Sequence, residues 1–207
     1  MTRRPVSASL TPDPVRGRER TESAWLFDDA PRAPEGFGYR ADLISPEEEA
    51  ALLKRFEELP FEPFDFRGFK GNRQTVAFGS RYDFTHGRIE LAEPFPQWLT
   101  SLKARVTAFA NFAEDAIVQA LVTAYPPGAG IGWHRDRPEY GKVIGVSFAS
   151  ACILRLRRPH GEGWRRESVL LQPRSAYLLD GEVRDAWQHS IMPGDRLRYS
   201  VTFRTLR

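Results

Sequence analysis

Four histidines occur in the 207 residues, and one of them, His134, stands two positions before Asp136 in the run "GAGIGWHRDRPEYG". In an extended segment residues i and i+2 point to the same side, so this pair can offer an imidazole and a carboxylate to one ion. A third ligand has to come from another strand, and "DAWQHSIMPGD" supplies His189. Two histidines and one carboxylate on one face of an octahedral ion leave open positions, the arrangement of non-haem Fe(II) oxygenases. Tetrahedral zinc with one open position draws on similar ligands, so spacing alone leaves a hydrolase open. A lone His-x-Asp match is short and has a high false-positive rate. Taken alone it fits a surface pair plus an unrelated core histidine better than a metal site.

The C-terminal run "RLRYSVTFRTLR" adds weight. Arg198 and Arg204 are separated by an even number of residues, so both can face one side of a strand, with Ser200 and Thr202 between them. Tyr199, Val201 and Phe203 then point into the opposite layer. Two arginines directed into a barrel interior are costly unless each meets an anion. A dicarboxylate bound beside the metal would supply those anions. The competing reading is an edge strand whose arginines face water.

These residues need a scaffold, and the chain is long enough for one domain with a proper core. In "LISPEEEAALLKRFEEL" the pattern predicts a helix with Ser45 as N-cap, Pro46 at the first helical position and Glu48 closing a capping box. Leu52, Leu53, Phe56 and Leu59 recur at helical spacing. A second helix is predicted over residues 95–113. Beyond residue 115 come short β-type runs separated by Pro and Gly, the texture of a sandwich or barrel, giving two helices supporting an all-β C-terminal half. Residues 1–33 mix Pro, Arg, Ser, Thr and Asp and read as a flexible tail, with Trp25–Phe27 a candidate anchor. The remaining 34–207 divide into helices and an intervening aromatic-basic segment (34–115) and a β core (116–207).

Composition sets the outer limits. A hydrophobic content of 41% and a charged content of 28% are ordinary for a soluble globular chain. No apolar run approaches the roughly 20 residues that span a bilayer, and the N-terminus lacks a signal-peptide core. The single cysteine, Cys152, reads as a small buried residue and agrees with a reducing cytoplasm. The net charge is only +3, and 26 of the 30 basic residues are arginine. That bias permits phosphate recognition, but taken alone a G+C-rich coding genome explains it better.

Together, "WHRD", "WQHSI" and "RYSVTFR" resemble the AlkB-type subgroup of Fe(II)/2-oxoglutarate-dependent dioxygenases. The stretch "LVTAYPPGAGIGWHRD" extends the match, and "LISPEEEAALL" and "GNRQTVAFGSRYDF" carry it over most of the chain from about residue 36. The resemblance implies an α+β fold: a double-stranded β-helix, or jelly roll, supported by N-terminal helices, with iron in its mouth. It implies that His134, Asp136 and His189 bind Fe(II), and that Arg198 pairs with the distal carboxylate of 2-oxoglutarate. Arg204 would touch the other end of the cosubstrate and steady Asp136, while Tyr125 and Thr123 complete that pocket. It further implies oxidation of a substrate C–H bond by O2 with decarboxylation of 2-oxoglutarate to succinate and CO2. In this family the substrate is typically an N-methylated base of single- or double-stranded DNA or RNA, and formaldehyde is released. A cytoplasmic monomer with no membrane partner is expected.

The segment from Phe64 to Phe84 occupies the place of the family's nucleotide-recognition lid. Its aromatic rings suit stacking on an extruded base, and its arginines suit flanking phosphates. Arg73, Phe78 and Tyr82 fall on matching positions, and Glu139 stands near the position of an acidic base contact. Phe64 and Phe66 are expected in the core, and Trp133 and Trp187 as pocket walls. Three departures from the family pattern stand out: Thr123 and Ser200 where asparagine is usual, and Arg137 and Pro138 ahead of Glu139. Two other readings stay open, a 2-oxoglutarate-dependent hydroxylase or demethylase of a protein or small molecule, and a lesion-binding module without turnover.

Overall fold

The computed structural model describes the backbone of residues 33–66 and 69–207, and the side chains of the same stretches apart from 65–70. The tail and its candidate anchor lie outside these residues. Alternation along the strands dictates the layers. In β13 (Arg198–Leu206), Tyr199, Val201 and Phe203 belong to one apolar cluster, and Arg198, Ser200, Thr202 and Arg204 turn to the other face. Antiparallel neighbours β6 (Ile117–Tyr125) and β8 (Tyr140–Phe148) follow suit, contributing Ala120, Val122, Ala124, Ile144, Val146 and Phe148 to the same cluster. The sheet continues through β11 (Ala176–Leu179) to β1 (Phe37–Arg40). On its other flank it continues through β3 (Phe69–Phe78) to β2 (Glu62–Phe66), in the order β1-β11-β8-β13-β6-β3-β2.

A second sheet takes β10 (Gly163–Leu171), β9 (Cys152–His160), β12 (Gln188–Ile191) and β7 (Ile131–His134), in that order. Leu154, Leu156, Val169, Leu171 and Ile191 from it pack against Val143, Tyr177 and Leu179 of the major sheet, with Trp187 among them. Two mainly antiparallel sheets face to face, with helices on the outer side of one, make the jelly roll of an α+β protein. A separate hairpin joins β4 (Ser80–Asp83) and β5 (Arg88–Leu91).

Helix α1 (Pro46–Glu57) starts as its sequence requires. Ser45 Oγ accepts from the Glu48 N–H at 3.2 Å, and the Glu48 carboxylate accepts from the Ser45 N–H at 2.8 Å. Its buried Leu52 and Phe56 lie on the sheet, with Phe56 edge-on to Phe148 at 5.1 Å. Helix α2 (Thr100–Ala110) follows a 3-10 turn at Gln97–Leu99 and buries Leu102, Val106 and Ala110 beside it. It is shorter than the predicted 95–113. Pro94 and Pro96 keep the entry extended, and Asn111 ends the helix in the left-handed conformation at φ 52°.

One expectation needs correcting. The N-terminal half is not only helical, because β1, β2 and β3 enter the major sheet and β3 pairs directly with β6. Strand pairing depends on a distant partner, and the segment's interleaved Gly and Arg hide it locally. A short helix α3 (Gly181–Asp185) also went unforeseen; Asp180 caps it. Among the described residues no helix is long and apolar enough to cross a membrane.

Candidate active site

Strands β7 and β12 run antiparallel with His134 directly opposite His189, their ring centroids 4.2 Å apart. Asp136, just past the end of β7, brings Oδ2 to 3.5 Å from His189 Nε2. One ligand atom from each of the three lies within 4.8 Å of the others. His134 Nδ1 lies 2.9 Å from the Gly132 carbonyl. A carbonyl can only accept, so the proton belongs on Nδ1 and the lone pair on Nε2.

Arg204 grips one oxygen of Asp136 only: its Nε and Nη2 stand 2.8 and 2.7 Å from Oδ1. The other oxygen, Oδ2, is buried with no hydrogen-bond partner. An orphaned buried carboxylate oxygen costs about 1–3 kcal/mol or more, and a cation between it and the two imidazoles removes that cost. The donor set therefore fits a divalent metal of the Fe(II) type. Burial works against the charged form of Asp136, yet Arg204 and the two imidazoles hold its carboxyl well below the usual range. Burial, helped by neighbouring His134, pushes His189 down to about 3, and burial also lowers His134. Both rings are neutral at pH 7, as metal ligation demands.

Six residues along β13 from Arg204, Arg198 pairs across the sheet with Tyr125 and lies 4.8 Å over its ring. Its Nε donates to Ser147 Oγ at 3.0 Å, while Nη1 is buried with no partner. Thr123, buried, sits on the same face opposite Ser200 and Thr75. A cavity of about 190 Å³ borders Tyr125, Ile191, Arg198 and Cys152. Cys152, expected as a small buried core residue, packs half-buried against the core between the sheets and also lines this cavity, at the first position of β9. Burial raises its thiol pKa, keeping it protonated. Gly145 is required in β8 because a Cβ there would stand 2.3 Å from the ring of Tyr177, its directly paired neighbour on β11.

Arg73 reaches toward the same interior from β3. Burial lowers its pKa, the nearby Tyr125 opposes that and Arg204 reinforces it. Three guanidiniums therefore bear on one space whose central carboxylate is Asp136. At the rim, Tyr82 of β4 lies under the Arg137 guanidinium at 4.3 Å and its hydroxyl accepts from Arg137 Nη2. Glu139 stands 3.6 Å from Arg137 and within 3.5 Å of the Tyr82 hydroxyl. The β4–β5 hairpin is in this way latched to the loop that follows Asp136.

Phe78 does not join this group. It is 7% exposed and packs edge-on to Trp98 at 6.0 Å in the helix-side core. The reason is register: Phe78 faces Ala120, which points toward the helices. Its expected substrate contact is withdrawn. Phe64 departs the other way, outside both core clusters, with Arg73 over its ring at 3.7 Å and Phe84 edge-on at 5.8 Å. The Phe66 side chain lies outside the description. Trp187 is buried as a wall, whereas Trp133 turns outward, because its neighbour His134 turns in.

Three buried partners escaped the sequence reading. Arg184, 5% exposed, donates to the carbonyls of Arg137, Tyr140 and Gly141 and so tethers the loop after Asp136. Gln119 accepts from Arg204 Nη1 at 2.6 Å and donates to the Ser80 carbonyl at 2.8 Å. Ser147 holds Arg198. Only Gln119 left a signal, a polar residue at an inward position of "IVQALVTAY".

Such a jelly roll with a His-Asp-His cluster and paired interior arginines defines a class, the Fe(II)/2-oxoglutarate oxygenases. The chain belongs to the 2OG-Fe(II) oxygenase superfamily, which it matches over residues 36–204. Fe(II), 2-oxoglutarate and O2 are the cofactor and cosubstrates of that family. It is 26% identical over 195 residues to an uncharacterized protein of Acanthamoeba polyphaga mimivirus, covering 83% of this chain and 85% of that protein. It is 28% identical over 171 residues to an Arabidopsis thaliana protein named as an alkylated DNA repair protein, ALKBH8 homolog. That alignment takes in 72% of this chain but only 49% of the Arabidopsis protein. Among solved structures, OsALKBH1 superposes with a TM-score of 0.62 at 14% identity, covering 82% of this chain and 96% of that one. A Pseudomonas putida prolyl-4-hydroxylase superposes at 0.56 with 16% identity, covering 83% and 93%.

Proposed function

We propose that the chain is a dealkylase of N-alkylated nucleobases in DNA or RNA. In this reading His134 Nε2, Asp136 Oδ2 and His189 Nε2 hold Fe(II). Arg198, through its orphaned Nη1, holds the distal carboxylate of 2-oxoglutarate by a charge-assisted bond. Tyr125 and Thr123 add hydroxyl groups, and Arg204 fixes Asp136 while facing the other end of the cosubstrate. Fe(II) held there would supply the O2 chemistry by which an N-methyl group is oxidised at the expense of 2-oxoglutarate, to give N–H, formaldehyde, succinate and CO2. The residues do the rest. Arg204 keeps Asp136 ionised and oriented, Arg184 pins the loop behind it, and the packed sheets exclude water.

The observation that carries the nucleic-acid part is the rim. Tyr82, Arg137 and Glu139 at the rim, with Arg73 reaching inward toward His134, combine a stackable ring, two guanidiniums and one carboxylate on the hairpin side of the candidate metal ligands. Such a set suits an extruded base and its flanking phosphates. The Arabidopsis relative's name points the same way. The likeness to a prolyl hydroxylase favours a second reading, a protein side chain as substrate, but it extends to the fold alone.

The test is incubation with Fe(II), ascorbate, 2-oxoglutarate and a single-stranded oligonucleotide bearing 1-methyladenine or 3-methylcytosine, followed by mass spectrometry. Methyl loss that needs both iron and 2-oxoglutarate is the expected result. Succinate without methyl loss would favour the second reading.

A further inference from the structure

The outer face of the minor sheet carries charge that no ion pair neutralises among the described residues. Trp133, next to the candidate ligand His134, stacks on Arg157 at 4.3 Å and Arg155 at 4.9 Å, and Arg157 stacks in turn on Trp164 at 4.1 Å. Side-chain bonds hold the guanidiniums in place. Arg155 Nε donates to Ser190 Oγ at 3.0 Å, and Arg157 Nε to Gln188 Oε1 at 2.8 Å. Register sets Arg166, exposed, directly opposite Arg157.

The inward arginines of the same two strands behave differently. Arg158 meets Glu182, and Arg165 meets Glu167 at 3.2 Å. Glu167 is the one carboxylate in the four strands, and it is buried. Among the described residues, Arg155, Arg157 and Arg166 have no ion-pair partner. Three cations and two indole planes thus form a ladder without a counter-charge, starting one residue from His134.

We propose that this ladder docks a single nucleic-acid strand, the stretch flanking the base presented to the iron. The inference rests on the nucleic-acid reading above. Charge complementarity selects the occupant: phosphates supply the missing anions, and the terminal nitrogens of arginines fixed through Nε are left to bind them. Trp164, 38% exposed, offers a face to a base. An apolar protein partner would instead have to bury the guanidiniums stacked on Trp133 and Trp164.

Fluorescence anisotropy with unmodified single-stranded DNA and RNA probes of about 15 nucleotides tests this without turnover. Wild-type protein should bind at least one probe with affinity that falls as salt rises. The triple variant R155Q/R157Q/R166Q should bind more weakly, with a log–log salt slope smaller by about 2. W164A should weaken binding about tenfold with the slope unchanged, because stacking and not charge is lost. Melting temperatures close to wild type establish that the variants fold. If wild type and both variants bind alike, the ladder is overturned and the nucleic-acid reading stands. If wild type binds neither probe, both fail together. Preference for duplex alone, or for anionic lipid vesicles over either strand, also overturns the ladder.

Discussion

The two faces of the seven-stranded sheet carry opposite chemistry along the same strands. Toward the helices, β6, β8 and β13 present Val122, Ile144, Val146, Phe148, Val201 and Phe203, each essentially solvent-free. Toward the minor sheet the same strands present Gln119, Thr123, Tyr125, Ser147, Arg198 and Arg204. One face gains stability from apolar burial; the other bears the desolvation of arginines and a carboxylate and leaves Asp136 Oδ2 and Arg198 Nη1 without partners. The period of two lets a single strand serve as anchor and as site. Stability and chemistry are therefore separable by the face a residue occupies, and ligands should repair the face that lacks partners.

The sharpest break of this comparison is His189→Ala. It should reduce 2-oxoglutarate turnover to background while leaving the melting temperature near wild type, as read by succinate formation and calorimetry. Phe56→Ala works from the other face. It should cost about 3–5 kcal/mol in urea unfolding, while the protein that remains folded turns over normally. Within the site, Asp136→Ala should differ from His134→Ala. Both remove turnover, but the aspartate change strands buried Arg204 and should add a stability loss of about 3–5 kcal/mol, visible in parallel denaturation curves.

Arg198→Gln should raise the 2-oxoglutarate concentration for half-maximal turnover by roughly 10- to 100-fold, the loss of a charge-assisted bond. An unchanged dependence would remove Arg198 from that role. The smallest effect is Ser45→Ala, which opens the capping box of α1 and should cost about 0.5–2 kcal/mol without altering turnover.

Local rules were enough for some of this. The capping box of α1 and the shared face of Arg198 and Arg204 are short-range consequences of helix and strand period, readable in single segments. So was the pairing potential of His134 with Asp136. What the sequence hid depends on register between distant strands. Phe78 has the right residue type for a base contact, yet its pairing with Ala120 turns it to the helices. The lid segment looked irregular because β3 is defined by β6, about fifty residues away. Arg184 acts through three carbonyls of another loop, and the outer ladder needs β7, β9 and β10 brought into one sheet, with β12 between β7 and β9. None of these leaves a local pattern.

Metal binding is the property that most directly tests the inter-sheet face. Oxygen-free equilibrium dialysis with Fe(II), with and without 2-oxoglutarate, reads it without any assumption about substrate. About one iron per wild-type chain, retained more tightly when 2-oxoglutarate is present and lost in His189→Ala, is the predicted result. Iron bound equally by the variant, or 2-oxoglutarate bound equally without metal, would contradict it.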